Sequence, residues 1–264
     1  MQLSLLPIST GRSVSQSTGV FALGAIQFRR AFTMIELLAV MGVMTLMMVM
    51  LVPVMGGIKG AGDVTKTAYD VSGALEMART YAMAHNTYVW VGLFEEDPSQ
   101  APGTIGTGRV VVSVVASRDG TKIYSDTNNN PPALDSANLI QISRLLKFEN
   151  AHLDTLSSAD MSRPEITAPN PNDYQVGNPS FSRRNGAANS TTFAHPLSGA
   201  AKYTFSKIIQ FNPQGDASKI VDTPTRFMEI GLRPTRGNMV DSNSKNLVAI
   251  QVAGIGGQVK IYRP

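Results

Sequence analysis

The sequence predicts an α+β protein in which a long N-terminal helix, half membrane-like and half amphipathic, packs on an antiparallel β-sheet. Three observations lead there. From Phe32 to Val54 the chain is apolar with a single ionisable side chain, Glu36. From Asp63 to about His85, Val64, Ala68, Val71, Leu75, Ala78 and Ala82 recur at helical spacing. After Thr87 the texture changes to period two, and one helix followed by strands implies a helix lying across a sheet.

The first half of that helix is long enough to cross a bilayer, roughly 35 Å at about 1.5 Å per residue. It is too long for the apolar region of a secretory signal, and no small-x-small cleavage site follows it. Arg29 and Arg30 stand directly before it, whereas the far flank carries Lys59 and then Asp63. The positive-inside bias therefore keeps the N-terminus cytoplasmic and exports everything after Met55. Glu36 lies one turn inside the apolar start. A carboxylate there costs free energy unless it snorkels to headgroups or finds a partner, and the sequence leaves both readings open.

Arg29-Arg30-Ala31-Phe32-Thr33-Met34-Ile35-Glu36-Leu37-Leu38 resembles the processing site of type IV prepilins and type II secretion pseudopilins. The resemblance implies that a prepilin peptidase cuts between Ala31 and Phe32 and methylates the amine of Phe32. It makes Glu36 the fifth residue of the mature chain, where the family keeps a glutamate that meets the N-terminal amine of a neighbouring subunit. Pro53 becomes the 22nd, a position where pilins often have a helix-kinking proline. Ala31 departs from the family's usual Gly, and the leader of 31 residues is longer than most.

The organisation that follows is a leader at 1–31, a transmembrane or filament-core helix at 32–55, a glycine-rich joint at 56–62 and an exported domain at 63–264. The joint rests on four glycines in seven residues, each costing a helix up to about 1 kcal/mol relative to Ala. The formal net charge is +4, but Arg12, Arg29 and Arg30 lie in the leader, leaving 20 basic against 19 acidic residues. Charge gives no general argument for a nucleic-acid partner. There is no cysteine, which excludes disulfides, thiolate metal sites and a cysteine nucleophile.

In the exported part, Thr87–Phe94 and Arg109–Ser117 read as strands joined by a Gly/Pro loop, and Asp119-Gly120 as a tight turn into Lys122–Tyr124. Leu139–Leu153 suits a short amphipathic helix or a strand, with its alternation favouring strand. Residues 155–199, rich in Ser, Asn, Pro, Ala and Thr, read as a long irregular, partly mobile insertion. Strands return at Tyr203–Phe211, Arg226–Leu232, Leu247–Val252 and Gln258–Tyr262. Ala74–Val91, Ile208–Ser218 with its F-x-P-x-G turn, and the terminal hairpin resemble minor pseudopilins of the GspH/FimT type. The whole also resembles the pilin-like member of Verru_Chthon gene cassettes.

Residues for chemistry are sparse. His85, His152 and His195 are far apart and fit no metal spacing, so each reads as structural or surface. Gly254-Ile-Gly256-Gly257 has no following helix and reads as a turn, not a dinucleotide loop. Asp126–Asn130 begins like a calcium loop, but Pro131 stands where the turn wants Gly and Ala137 where the closing Glu belongs. No catalytic residue, metal or cofactor is expected. Resemblance implies a structural subunit of a secretion pseudopilus or pilus-like filament. Its partners would be the prepilin peptidase, other pilin subunits, an inner-membrane assembly platform and membrane lipid. It would sit single-pass in a bacterial inner membrane with its C-terminal domain periplasmic. A rival reading is a FimT-like minor pilin that binds DNA through Arg233 and Arg236, and another is a signal-anchored exported domain of unrecognised activity.

Overall fold

The computed structural model describes residues 32–122, 133–164, 171–182, 191–219 and 226–264, with side chains 51–61 and 171–172 outside the description. The chain falls into two compact units that meet between Val49 and Met50. In the first, helix α1 begins at Met34, and its side chains stand in the open: Met34, Leu38, Met44 and Met48 are all more than three-fifths exposed. The backbone of α1 is helical to Ala84, through Pro53 and through the glycine-rich stretch 56–62 where a joint was expected. Propagation of an existing helix adds one hydrogen bond per residue fixed, so neighbours with strong helical preference can carry glycines along.

The second unit is built on strands. In chain order these are β1 (Val89–Glu96), β2 (Gly108–Ser117), β3 (Leu139–Gln141), β4 (Leu146–Asp154), β5 (Phe193–His195), β6 (Tyr203–Phe205), β7 (Lys207–Phe211), β8 (Ala217–Lys219), β9 (Phe227–Arg236), β10 (Met239–Val240), β11 (Val248–Ala253) and β12 (Val259–Tyr262). Ten of them form one sheet in the order β12-β11-β9-β4-β2-β1-β7-β8, with β3 added beside β2 and β10 beside β9; β5 and β6 make a separate hairpin. The pairings among these strands are antiparallel.

This overturns the expected α+β layout of a long helix packed on a sheet. The protein is mostly antiparallel β, a curled ten-stranded sheet, rather than a long helix packed on a sheet. Among the described side chains of α1, those that enter the core lie between Val64 and Ala82, where Val64, Ala68, Val71, Leu75, Ala78 and Ala82 are wholly buried. The curl brings the sheet's two ends together. Ala217 at the start of β8 donates its N–H to the carbonyl of Gly254 after β11 at 2.7 Å, and the Gly256 N–H reaches Asp216 Oδ1 at 2.8 Å. Glu76 of α1 accepts from the N–H of Val259 at 3.2 Å, tying the helix to the last hairpin.

A two-layer reading also fails because both faces of the sheet are covered. On β2, Val110, Val112, Val114 and Ala116 face the helix core, while Val111 and Val115 join Trp90, Leu139, Phe193 and Phe205 on the other face. Strands buried on both faces read as continuous apolar runs, and Val110-Val111-Val112 followed by Val114-Val115 is such a run. The second cover is built from Leu134, Leu139, Phe193, Tyr203 and Phe205. Within the segment expected to be a loose insertion at 155–199, Leu156, Met161, Val176, Phe181 and Phe193 are buried. Gly92 allows the closest approach, since a Cβ there would lie 2.6 Å from Phe193 Cζ and 2.7 Å from Phe205 Cβ.

Candidate functional site

The chain's candidate site is the start of α1. Phe32 and Thr33 precede the helix and are exposed, while Arg29, Arg30 and Ala31 lie outside the described residues. Thr33 is the N-cap. Its Oγ1 accepts from the N–H of Glu36 at 3.3 Å, and Glu36 Oε2 accepts from the Thr33 N–H and from its hydroxyl, both at 3.5 Å. The pattern Thr-x-x-Glu is a capping box, in which two side chains answer backbone donors that the first helical turn would otherwise leave open. A carboxylate in that first turn also faces the positive end of the helix dipole.

In the sequence, Glu36 reads as an interfacial carboxylate that snorkels to headgroups or as the partner of a neighbouring subunit, and Thr33 does not stand out. The signal was present as Thr33 three residues before Glu36. Glu36 therefore has a local role in the single chain, holding the helix start directly behind Phe32. Beyond it the apolar side chains are uncovered, with Leu37, Met41, Met44, Met47 and Met50 all exposed. Among the described residues no helix is long and apolar enough to cross a membrane. In sequence the apolar run continues through Leu51, Val52, Pro53, Val54 and Met55, whose side chains are outside the description. Pro53 lies within α1.

Arg233 and Arg236 lie on β9, and the structure gives them different surroundings. Arg233 Nε donates to Asp154 Oδ2 at 2.5 Å, Nη1 to the carbonyl of Ser242 at 3.0 Å, and Nη2 lies 4.0 Å from Asp160. Its charge is answered by carboxylates. Arg236 is exposed and 3.6 Å from Asp241. The pair does not form a joint basic surface.

Two buried carboxylates were invisible in sequence and organise the body. Glu96, at the end of β1, has no exposed surface and is held by Arg109 at 2.9 Å, Lys147 at 3.2 Å and the N–H of Gly103 at 2.9 Å. Burial pushes its carboxyl up, but the Gly103, Arg109 and Lys147 bonds outweigh that and hold it below the ordinary glutamate value. Lys147 also donates to the Tyr203 hydroxyl. Burial pulls its ammonium down, while the bonds to Tyr203 and Glu96 raise it to a net upward shift. Glu229 on β9 accepts from Arg163, Gln175 and Gln251.

The histidines stay apart. His85 stacks on Tyr81 with ring centroids 4.1 Å apart, His152 Nδ1 is 2.7 Å from Glu95 Oε1, and His195 Nδ1 is 3.3 Å from Gln141 Oε1. Among the described residues no group of three or more His, Asp or Glu side chains could hold a metal ion. The start of the calcium-like run, Asp126–Asn130, lies outside the described residues, as does most of Lys122–Tyr124. Gly254-Ile-Gly256-Gly257 forms a 3-10 turn between β11 and β12. No family model, no curated protein and no solved structure matches the chain.

Proposed function

We propose that this chain is a non-enzymatic structural subunit of the pseudopilin type. It is made as a prepilin, cut between Ala31 and Phe32 by a prepilin peptidase, methylated at Phe32, and assembled into a filament through its N-terminal helix. The supporting observation is the register of features at the start of α1. Behind the Arg29-Arg30 pair come a small residue, an exposed Phe32, a Thr33–Glu36 capping box and an apolar helical surface with no cover of its own.

The chemistry of that arrangement suits assembly. A free Phe32 amine would stand beside a carboxylate already fixed at the helix end, and a second positive charge from a neighbouring subunit would find the same acceptor. Attraction between such groups is large only where water is excluded, so it acts when helices pack side by side. In this reading the inner membrane holds the apolar helix before assembly, with the N-terminus cytoplasmic and the body periplasmic, and other pilin subunits and an assembly platform are the partners.

The test is intact-mass and N-terminal peptide mass spectrometry of the protein expressed with and without a prepilin peptidase. The expected result is a peptidase-dependent chain beginning with N-methylated Phe32. A chain that keeps residues 1–31 with an active peptidase present, or is clipped after Met55, overturns the proposal.

A further inference from the structure

We propose that the outer edge of β3 is a docking site for an extended peptide segment carrying a carboxylate, which joins the sheet as an added strand. The proposal does not rest on the filament reading. It begins with the phase of the hydrogen bonds. β3 pairs with β2 in the register Val115↔Gln141, Ala116↔Ile140 and Ser117↔Leu139, and with no other strand among the described residues. Ile142 donates its N–H to Val114 O at 3.1 Å, and Arg118 donates to Asn138 O at 2.9 Å. Positions 138, 140 and 142 therefore turn their backbone groups toward β2, and by alternation Leu139 and Gln141 turn theirs away from it. The Leu139 N–H closes locally on Ser136 O, while the Leu139 carbonyl has a long 3.4 Å contact from Arg118. Among the described residues the outward N–H and carbonyl of Gln141 meet no backbone partner, and such open groups on a strand edge are a template for another chain.

The space beside this edge has the size to take one. An open groove of about 670 Å³ lies between β3 and the turn Leu197–Gly199, with the half-buried Ile140 and Leu197 supplying apolar wall and Gln141 and Ser198 polar wall. Arg118 stands in the same groove, exposed and, among the described residues, within salt-bridge distance of no carboxylate. The nearby acids are turned elsewhere. Asp119 accepts from the Ser117 hydroxyl and from Thr121, and Asp135 accepts from the Ala137 N–H at the cap of a 3-10 turn. The groove thus offers main-chain pairing at Gln141, two apolar contacts and one positive charge. That combination fits an extended, alternating segment with an Asp or Glu placed opposite Arg118, since guanidinium and carboxylate pair in a charge-assisted, two-pronged geometry.

The experiment uses the full chain in detergent micelles and a fluorescein-labelled hexapeptide of alternating valine and threonine containing one aspartate, with binding read by anisotropy at low salt. Saturable binding is expected. Replacing the probe's aspartate by asparagine, or making Arg118→Gln, is expected to weaken it about tenfold each, with no further loss when both changes are combined. A probe N-methylated on alternate residues cannot donate to the strand edge, and Ser198→Trp fills the groove from an exposed turn; each is expected to abolish binding. The proposal is overturned if the probe shows no saturable binding, if the N-methylated probe or Ser198→Trp leaves affinity unchanged, or if the two charge changes have no effect.

Discussion

Arg163 grips Glu229 with two parallel hydrogen bonds, Nε to Oε2 and Nη2 to Oε1, both 2.6 Å, with both side chains almost entirely out of solvent. The pair binds a segment with no regular secondary structure to a central strand. Arg163 also donates to the carbonyls of Leu156, Ser157 and Met161, and Gln175 donates to Glu229 Oε1 and to Leu156 O. One carboxylate thus orders the main chain around residues 156–163 and joins it to residue 175. Gly231 permits this close seating, because a Cβ there would lie 2.3 Å from Asp154 O.

Removing one partner of such a pair leaves the other charge buried without an answer. Glu229→Ala should destabilise the body by about 3–5 kcal/mol, whereas the joint change of Arg163→Met and Glu229→Met should cost far less. Urea unfolding of the two variants measures the difference. Equal losses in both would show that the ion pair itself is not the source of the effect.

Glu96 makes stability depend on acid. Its carboxyl is held below the ordinary value, which is about 4.3 in an unfolded chain. A group whose folded pKa is depressed contributes stability that is present above the unfolded value and is lost as pH falls through the folded one. The wild-type body should therefore lose stability progressively as pH falls below about 4.3. Glu96→Gln should be less stable at neutral pH, because Arg109 and Lys147 lose their carboxylate, and should show a flatter acid limb. Thermal unfolding between neutral pH and about pH 3 reads both effects; parallel curves for the two proteins would remove Glu96 from the acid response.

The capping box makes a local prediction at the start of α1. Thr33→Ala should weaken the first turn by about 1 kcal/mol, a typical cap loss. Hydrogen exchange of the amides of Met34 to Glu36 should accelerate several-fold while those of Val71 to Ala82 stay unchanged. Unchanged exchange at both places would mean that Thr33 does not cap the helix in solution.

Much of the strand content was legible because the responsible residues are local. The β-branched run of β2 and the alternating residues of β11 carry their own signal, and so does the stripe from Val64 to Ala82. The architecture was harder to read, for a physical reason. A two-layer fold follows naturally from one helix and a set of strands, but Val111 and Val115 are covered by Phe193, Tyr203 and Phe205, which come from far along the chain. Low hydrophobicity between 155 and 199 suggested looseness; around Leu156, Arg163 and Gln175 the chain is ordered by polar contacts to Glu229 that no periodicity encodes. At the helix start, Arg29 to Glu36 could be read as a motif. The partnership of Thr33 with Glu36 needed the three-residue spacing to be read as capping as well.

The clasp at the ends of the sheet sets an order on how this chain can mature. The residues that shelter the buried stripe of α1 include Val248, Ile250 and Val252, and Val259 and Arg263 donate hydrogen bonds to Glu76 and Thr65 of the helix. These contacts join positions separated by more than 180 residues. During N-to-C-terminal synthesis the stripe from Val64 to Ala82 therefore emerges early and waits only partly covered, by residues of β1, β2 and β4, until the last hairpin arrives. Non-local closure of this kind is slow, and the exposed apolar stripe is open to wrong associations in the interval. A chain truncated before β11 should remain dependent on a holding chaperone, however complete its earlier strands.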